Sequence, residues 1–191
     1  MSRITRKLVY FYRLLLCRML GIETWHANPP GRHPYQEEIL TRVNALQPSS
    51  VLEIGCGFGD IITRIKARRR LGTDAVEGVL TGASLCHPLM WLSGGIAFRR
   101  LLLGEALAGR FHTIICVNFI HIIPPADLRA AFTQMAHDNL ESGGMMVFDV
   151  MENPCYNHNH DAAMLLEDTG LTFEIVPGFE FGRSLAFARK P

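Results

Sequence analysis

The sequence lacks the features that mark several broad classes of protein. Its five cysteines are scattered and none lies in a C-x-x-C pair, so we expect neither a disulfide framework nor a metal site. Lys and Arg number 19 against 18 for Asp and Glu, and no basic strip is interleaved with aromatic residues, so nucleic acid is not an expected partner. No apolar run is long enough to span a bilayer, and no secretory signal is expected. An odd number of cysteines without a framework suits a reducing compartment, and we therefore expect a cytoplasmic protein.

What is present is a chain of 191 residues, 48% hydrophobic, which suffices for one domain with a substantial core. Its most informative stretch is VLEIGCGFGD, residues 51–60. The apolar residues predict a short buried strand that runs into a turn containing Gly55, Gly57 and Gly59, where no β-carbon keeps a ligand from the backbone. A helix from Asp60 to about Arg69 is predicted to follow and to point its first N–H groups at that ligand.

Two acidic residues accompany this turn. Glu53 lies in the strand itself, and Asp74 follows Gly55 by nineteen residues, close to the spacing at which an acid binds a ribose hydroxyl pair. The third glycine comes one residue earlier than in the dinucleotide fingerprint, and Asp60 occupies the position that the fingerprint gives to glycine. The pattern therefore indicates a nucleotide-like ligand, and Asp60 argues against a nicotinamide dinucleotide.

VLEIGCGFG resembles the first motif of the class I S-adenosylmethionine-dependent methyltransferases, and the order of elements from Val51 to Lys190 is similar to that family. The resemblance implies a Rossmann-like α/β fold: a mostly parallel seven-stranded sheet with a C-terminal antiparallel hairpin and helices on both faces. It also implies two parts, an N-terminal helical and lid segment at residues 1–47 and an S-adenosylmethionine-binding methyltransferase domain at residues 48–191. The hairpin is expected at residues 171–176 and 184–189.

The resemblance further implies S-adenosylmethionine as cofactor. Carried over by position, Glu53 and the turn hold the methionine part, Asp74 takes the ribose, Ala75 lies beside the adenine and Asn118 faces the sulfonium. Glu105 and Ala106 stand where the family usually has Asp-Ala at the adenine edge. The implied cofactor-binding set is Glu53, Gly55, Cys56, Gly57, Gly59, Asp74, Ala75, Glu105, Ala106 and Asn118.

The methyl acceptor is not encoded in this motif, and a small polar molecule is the expected substrate. The proline-rich segment at residues 22–34 is interpreted either as a plain connector or as an active-site lid, with Trp25, His33 and Tyr35 as substrate-binding candidates. His121, at the end of the central strand, is the candidate general base. A catalytically silent S-adenosylmethionine-binding subunit and a nicotinamide enzyme remain the alternatives.

Residues 2–20 are predicted to form an amphipathic helix, with Ile4, Leu8, Phe11, Leu15 and Met19 on one side and basic residues, Arg13 among them, on the other. We expect its apolar side to pack on the domain or on a second copy in a homodimer. The alternative is a helix that contacts a membrane surface or a partner protein. Further helices are predicted at residues 35–46, 76–87 and 124–140, and an edge strand at 96–103.

Overall fold

The computed structural model describes residues 2–29 and 33–191. Residues 30–32 of the predicted irregular segment lie outside this description. The helices are α1 (Arg3–Leu20), α2 (Pro34–Ala45), α3 (Glu77–Cys86), α4 (Pro88–Leu92), α5 (Pro125–Gln134) and α6 (Ala162–Leu166). The strands are β1 (Ser50–Ile54), β2 (Arg69–Asp74), β3 (Ala97–Arg100), β4 (Phe111–Cys116), β5 (Leu140–Met151), β6 (Thr172–Phe179) and β7 (Arg183–Arg189).

The seven strands form one sheet in the order β3-β2-β1-β4-β5-β7-β6. The first five pair in parallel, whereas β7 runs antiparallel to both β5 and β6. The predicted parallel sheet with a terminal antiparallel hairpin is therefore confirmed. Because β1 and β4 are neighbours while their connections lead to opposite sides, the strand order reverses between them, and a crevice opens at their carboxyl ends.

Alternation along the strands builds a core on each face of the sheet. Val51 packs with α2 on one face, while Leu52 and Ile54 pack with α5 and α6 on the other. The same alternation recurs in β4, where Ile115 faces α2 and Ile114 faces α5. Helices therefore cover both faces, as predicted. Within the described ranges 2–29 and 33–191, no helix combines the length and apolarity needed to cross a bilayer.

The helix predicted from Asp60 to Arg69 is wrong. Only the three-residue 3-10 turn Ile62–Arg64 follows the glycine turn, and Ile65 already has extended backbone. Ile61, Ile62 and Ile65 are buried, which anchors this segment on the sheet instead of leaving a solvated helix face. Arg69 then begins β2, paired with Ser50 of β1. Strand pairing here prevails over the local helical pattern.

Other boundaries differ more modestly. The edge strand β3 is shorter than predicted, and the residues after it turn away through Gly104 with a positive φ of 87°. The helix α5 ends at Gln134, where a π turn over Met135–Asn139 leads into β5. Residues 88–95, which the sequence pattern leaves unassigned, contain the short helix α4.

The N-terminal helix lies where the sequence predicts it, but it packs through a different face. Its buried residues are Arg13, Leu16 and Cys17, which contact Phe58 and Val79 near the glycine turn and α3. The residues predicted to face the core, Ile4, Leu8, Phe11, Leu15 and Met19, are all exposed. The expectation that they pack on the domain is wrong because the ion pair of Arg13 turns the opposite side inward.

Candidate active site

A cavity of about 640 Å³ opens at the carboxyl ends of β1, β2 and β4, within the size range of small-molecule sites. One side, here called the strand-end wall, consists of its lining residues between 53 and 61, 74 and 79, 101 and 103, and 117 and 123. The other, the N-terminal wall, consists of its lining residues between 21 and 29 and between 33 and 36. Two parts of the chain that are remote in sequence thus enclose one space.

The glycine turn is closed by the carboxylate of Asp74. One oxygen of Asp74 accepts a hydrogen bond from the Gly57 N–H at 3.1 Å, and the other accepts from the Val76 N–H at 3.1 Å. The Cys56 N–H donates to the Thr73 carbonyl at 2.8 Å, which fixes the turn to the end of β2. The nineteen-residue spacing therefore brings the acid into direct contact with the turn, on the cavity wall.

The three glycines have positive φ values of 68°, 54° and 81°, a region that side chains rarely adopt. The sequence suggests that the space of the missing β-carbons is left open for a ligand. At two of these glycines the protein's own side chains take that space instead. A β-carbon at residue 55 would lie 2.5 Å from the ring of Phe119, and one at residue 57 would lie 3.4 Å from His26. The glycines thus shape the turn and admit the protein's own rings, and the ligand space lies beyond them.

Glu53 is buried in the strand-end wall, and one of its oxygens accepts a hydrogen bond from the Ile62 N–H at 2.8 Å. Burial raises the pKa of Glu53 well above its ordinary range, and the nearby carboxylates of Asp60 and Asp74 raise it further. A cation in the cavity would offset this penalty, because an opposite charge stabilises the ionised carboxylate.

Asp60, the residue in place of the third fingerprint glycine, is bound by Arg13 of α1. The guanidinium donates to the two carboxylate oxygens at 2.6 and 3.0 Å and to the Asn28 carbonyl at 2.6 Å. Arg13 is 2% exposed, and its guanidinium also lies over the ring of Phe58. This buried arginine joins α1, the glycine turn and the N-terminal wall, although helical periodicity places it on the basic side of α1.

A second buried arginine, Arg183 at the start of β7, binds Asn118 just beyond the end of β4. Asn118 has a φ of 68°, and its N–H donates to Asp149 at 2.9 Å. The Asn118 side-chain oxygen accepts from Arg183 at 2.8 Å, and Arg183 also pairs with Asp149 and lies over the ring of Tyr35. The network fixes Asn118 on the strand-end wall and Tyr35 on the N-terminal wall around one cation.

The N-terminal wall brings together the substrate candidates Trp25, His33 and Tyr35. The ring of Trp25 stacks on His26, and the ring of His33 stacks on Tyr35, while His33 bonds Glu180 at 2.7 Å. Burial raises the pKa of Tyr35, although Arg183 opposes the shift. This segment therefore forms one side of the cavity.

Gln36 of α2 lines the cavity beside Tyr35 and is not predicted from the sequence. Gln36 is 8% exposed, and its side-chain oxygen has no hydrogen-bond partner among the described residues. A buried acceptor without a donor is costly, and its position on a cavity wall makes Gln36 a candidate for contact with a ligand. No local sequence signal marks it, because its position follows from how α2 packs on the sheet.

Of the cofactor set predicted by resemblance, the structure brings Glu53, Gly55, Cys56, Gly57, Asp74, Ala75 and Asn118 to the cavity wall. Gly59, Glu105 and Ala106 do not line it. The Gly59 N–H donates to the Cys56 carbonyl and so closes the turn, while Glu105 accepts from the Leu102 N–H at 2.9 Å and caps the turn after β3. Leu101, Leu102 and Leu103 line the cavity there instead.

His121, the candidate base, also lies outside the lining residues, although its neighbours Phe119 and Ile122 belong to them. Its ring lies 4.0 Å from that of Tyr156, and its Nδ1 is buried with no partner in the described part of the chain. Burial lowers the pKa of His121, and Arg183 and His160 lower it further, which favours a neutral ring.

Among residues 2–29 and 33–191, no group of three or more His, Cys, Asp or Glu side chains is arranged to hold a metal ion.

No protein-family model and no curated protein sequence matches this chain. Solved structures do match it. The N-methyltransferase NodS from Bradyrhizobium japonicum, in complex with S-adenosylhomocysteine, superposes with a TM-score of 0.69 at 21% identity over 93% of this chain and 97% of that one. Magnesium protoporphyrin IX methyltransferase from Synechocystis, with bound S-adenosylhomocysteine, gives 0.67 at 14% identity over 98% and 99%.

CalS10, an amino pentose methyltransferase from Micromonospora echinaspora with bound S-adenosylmethionine, gives a TM-score of 0.65 at 15% identity over 92% of this chain and 95% of that one. Some matched proteins are longer than this chain, and the match covers 66% of the length of one of them. Identities this low show a common fold. The architecture is therefore that of the class I methyltransferases, as the sequence resemblance implied.

Proposed function

We propose that the protein is an S-adenosylmethionine-dependent methyltransferase that acts on a small polar molecule. The observation that carries the proposal is the strand-end wall, where Asp74 closes a glycine turn beside the buried carboxylate of Glu53. The fold shared with NodS, CalS10 and the protoporphyrin enzyme, which were solved with this cofactor or its product, supports it.

The charges of the strand-end wall fit a cationic nucleoside. Glu53, Asp60 and Asp74 all line the cavity, and within residues 2–29 and 33–191 only Asp60 of these three is paired with an arginine. The free lone pairs of Asp74 suit the ribose hydroxyls, and Glu53 suits the ammonium of the methionine part. Leu101, Leu102 and Val76 supply apolar surface of the kind an adenine ring packs against.

The same wall is a poor site for a nicotinamide dinucleotide. A pyrophosphate is normally held by the N-terminus of the helix that follows the glycine turn. Here that helix is replaced by the turn Ile62–Arg64, and three carboxylates, those of Glu53, Asp60 and Asp74, line the cavity and repel an anion. The missing helix is therefore a reason to prefer an adenosyl sulfonium to a dinucleotide.

When bound, the cofactor would supply an activated methyl group with a good, neutral leaving group. The chain then has to place the acceptor in line with that methyl group and keep water out. The N-terminal wall suits this task, because Trp25, His26 and Tyr35 enclose the cavity opposite the strand ends. The unpartnered oxygen of Gln36 would accept a hydrogen bond from an N–H or O–H of the acceptor.

His121 stays the proposed general base for acceptors that must lose a proton. Its lowered pKa supports the role, because a neutral ring can take up a proton at neutral pH. The substitution His121→Asn is expected to lower kcat and to abolish the acidic limb of the pH–rate profile. An unchanged pH–rate profile in this variant would assign His121 to packing against Tyr156.

Binding and turnover test the proposal in two steps. S-adenosylhomocysteine is expected to raise the thermal midpoint, and NAD is expected to leave it unchanged. The protein is then incubated with methyl-labelled cofactor and fractionated small molecules from cells, and label is expected in a low-molecular-weight product. A shift with NAD alone would overturn the cofactor assignment. Binding without transfer, relieved only by added protein fractions, would indicate a non-catalytic subunit.

A further inference from the structure

The helix α1 has two dissimilar faces. Its inward face carries Arg13, Leu16 and Cys17, which are buried against the domain. Its outward face carries an apolar stripe whose exposed fractions run from 55% for Leu15 to 73% for Ile4. The stripe consists of Ile4, Leu8, Phe11, Leu15 and Met19. Five large apolar side chains in one row on a fixed helix are more than the scattered exposure normal for a protein surface.

Packing of the inward face keeps the stripe outward. Arg13 is bound to Asp60 and to the Asn28 carbonyl, and the hydroxyl of Tyr12 donates to the Leu85 carbonyl at 3.0 Å. These contacts fix the rotation of the helix about its axis. The stripe therefore cannot be buried by a small roll of α1 without breaking a buried ion pair.

The charges of α1 are of one sign. Residues 3–20 contain no Asp or Glu, and Arg3, Lys7 and Arg18 are exposed. With about 100° between successive residues, Lys7 and Arg18 lie along one border of the stripe, within roughly a quarter turn of Phe11 and Ile4. An apolar row bordered by cations is the pattern of helices that lie in the interface of an anionic bilayer.

We propose that α1 docks the protein on an anionic phospholipid surface. The stripe would enter the boundary between headgroups and acyl chains, and Arg3, Lys7 and Arg18 would contact the phosphates. A second copy is the less suitable occupant, because pairing two such helices brings cations together with no acid on either helix to offset them. The proposal does not depend on the methyltransferase assignment, since no residue of the stripe lines the cavity.

The test is sedimentation of the full-length protein with vesicles of phosphatidylcholine alone or mixed with phosphatidylglycerol. Binding is expected to the mixed vesicles only, and to weaken as salt is added, because the surface potential is screened. The double variant Lys7→Gln, Arg18→Gln is expected to bind about 25-fold more weakly, at about fivefold for each cation lost.

A matched pair of variants separates the stripe from general hydrophobicity. Leu8 on α1 and Met164 on α6 are both 65% exposed. Leu8→Glu is expected to weaken vesicle binding by at least about 30-fold, because it removes apolar contact and adds repulsion, whereas Met164→Glu adds the same charge elsewhere and is expected to change binding much less. Circular dichroism and the thermal unfolding midpoint check that both variants remain folded.

Three results would overturn the proposal. The first is no sedimentation with anionic vesicles, and the second is equal loss of binding in Leu8→Glu and Met164→Glu. The third is a concentration-dependent dimer in analytical ultracentrifugation that Leu8→Glu dissociates and that does not bind vesicles. That third result would assign the stripe to a second copy of this chain.

Discussion

The two walls of the cavity are built in different ways. The glycine turn of the strand-end wall is held by hydrogen bonds that involve the main chain, such as that from the Gly57 N–H to Asp74. The N-terminal wall is held by side chains that reach across the fold, such as Arg13 on Asp60 and Arg183 over the ring of Tyr35. We propose that the strand-end wall binds the cofactor and that the N-terminal wall places the acceptor and closes the site.

The largest effect is expected at Asp74. Asp74→Ala removes the acceptor for two main-chain N–H groups and the proposed ribose contact, and charged hydrogen bonds contribute about 1.5–3 kcal/mol each. We expect the affinity for S-adenosylhomocysteine to fall at least about 100-fold, measured by calorimetry. Asp127→Ala, which removes an exposed carboxylate from α5, is the control and should bind normally. Equal affinity for S-adenosylhomocysteine in the two variants would show that Asp74 of the strand-end wall does not bind the cofactor.

The second prediction concerns Arg13, which binds Asp60 of the strand-end wall and Asn28 of the N-terminal wall. Arg13→Met roughly keeps the size of the side chain but removes the hydrogen bonds that the guanidinium donates to Asp60 and to the Asn28 carbonyl. Because Asp60 is partly exposed, we expect a loss of about 2 kcal/mol in the free energy of unfolding, less than for a fully buried pair. Urea unfolding measures it, and Arg18→Met, an exposed arginine of the same helix, is the control. Affinity for S-adenosylhomocysteine should fall less than tenfold. A larger fall would mean that the N-terminal wall also holds the cofactor.

The comparison also explains what the sequence could predict. The strand, the turn and the acid at residue 74 form a local pattern, and the structure places Asp74 at the end of β2, in contact with the turn. The exposed stripe of α1 and the buried Arg13 could not be foreseen, because helical periodicity identifies an apolar face without saying which face the domain binds. The helix predicted after Asp60 does not form for a related reason, since Ile61 and Ile65 are buried in the core that covers one face of the sheet. Gln36 depends on packing alone.

The third prediction tests the acceptor side of the comparison. Gln36→Leu replaces a buried oxygen that has no partner in the described chain, so stability should be unchanged or slightly higher. KM for the methyl acceptor is expected to rise about tenfold, the loss of roughly one hydrogen bond, once an acceptor has been identified by labelling. Gln134→Leu, at the exposed end of α5, is the control. Weaker binding of S-adenosylhomocysteine by Gln36→Leu, with KM unchanged, would move Gln36 to the cofactor.

The smallest effect is a pH dependence that the N-terminal wall should show. Burial lowers the pKa of His26, and the opposing influence of Asp74, Glu23 and Asp60 does not cancel it. The unfolded chain therefore binds this proton more readily than the folded protein. The free energy of unfolding should be independent of His26 above its ordinary pKa of about 6.5 and should decrease as the pH falls below that value.

The substitution His26→Gln removes the titrating ring and should flatten part of this decrease between about pH 6.5 and 5. A residual slope is expected, because burial also lowers the pKa of His87, His121 and His160. His137→Gln, at a side chain that is 88% exposed, is the matched control. If His26→Gln and His137→Gln gave the same urea midpoints at every pH, the ring of His26 would have to be as accessible to water as that of His137. The stacking of Trp25 on His26 would then not persist in solution, and the N-terminal wall would close only when a ligand binds.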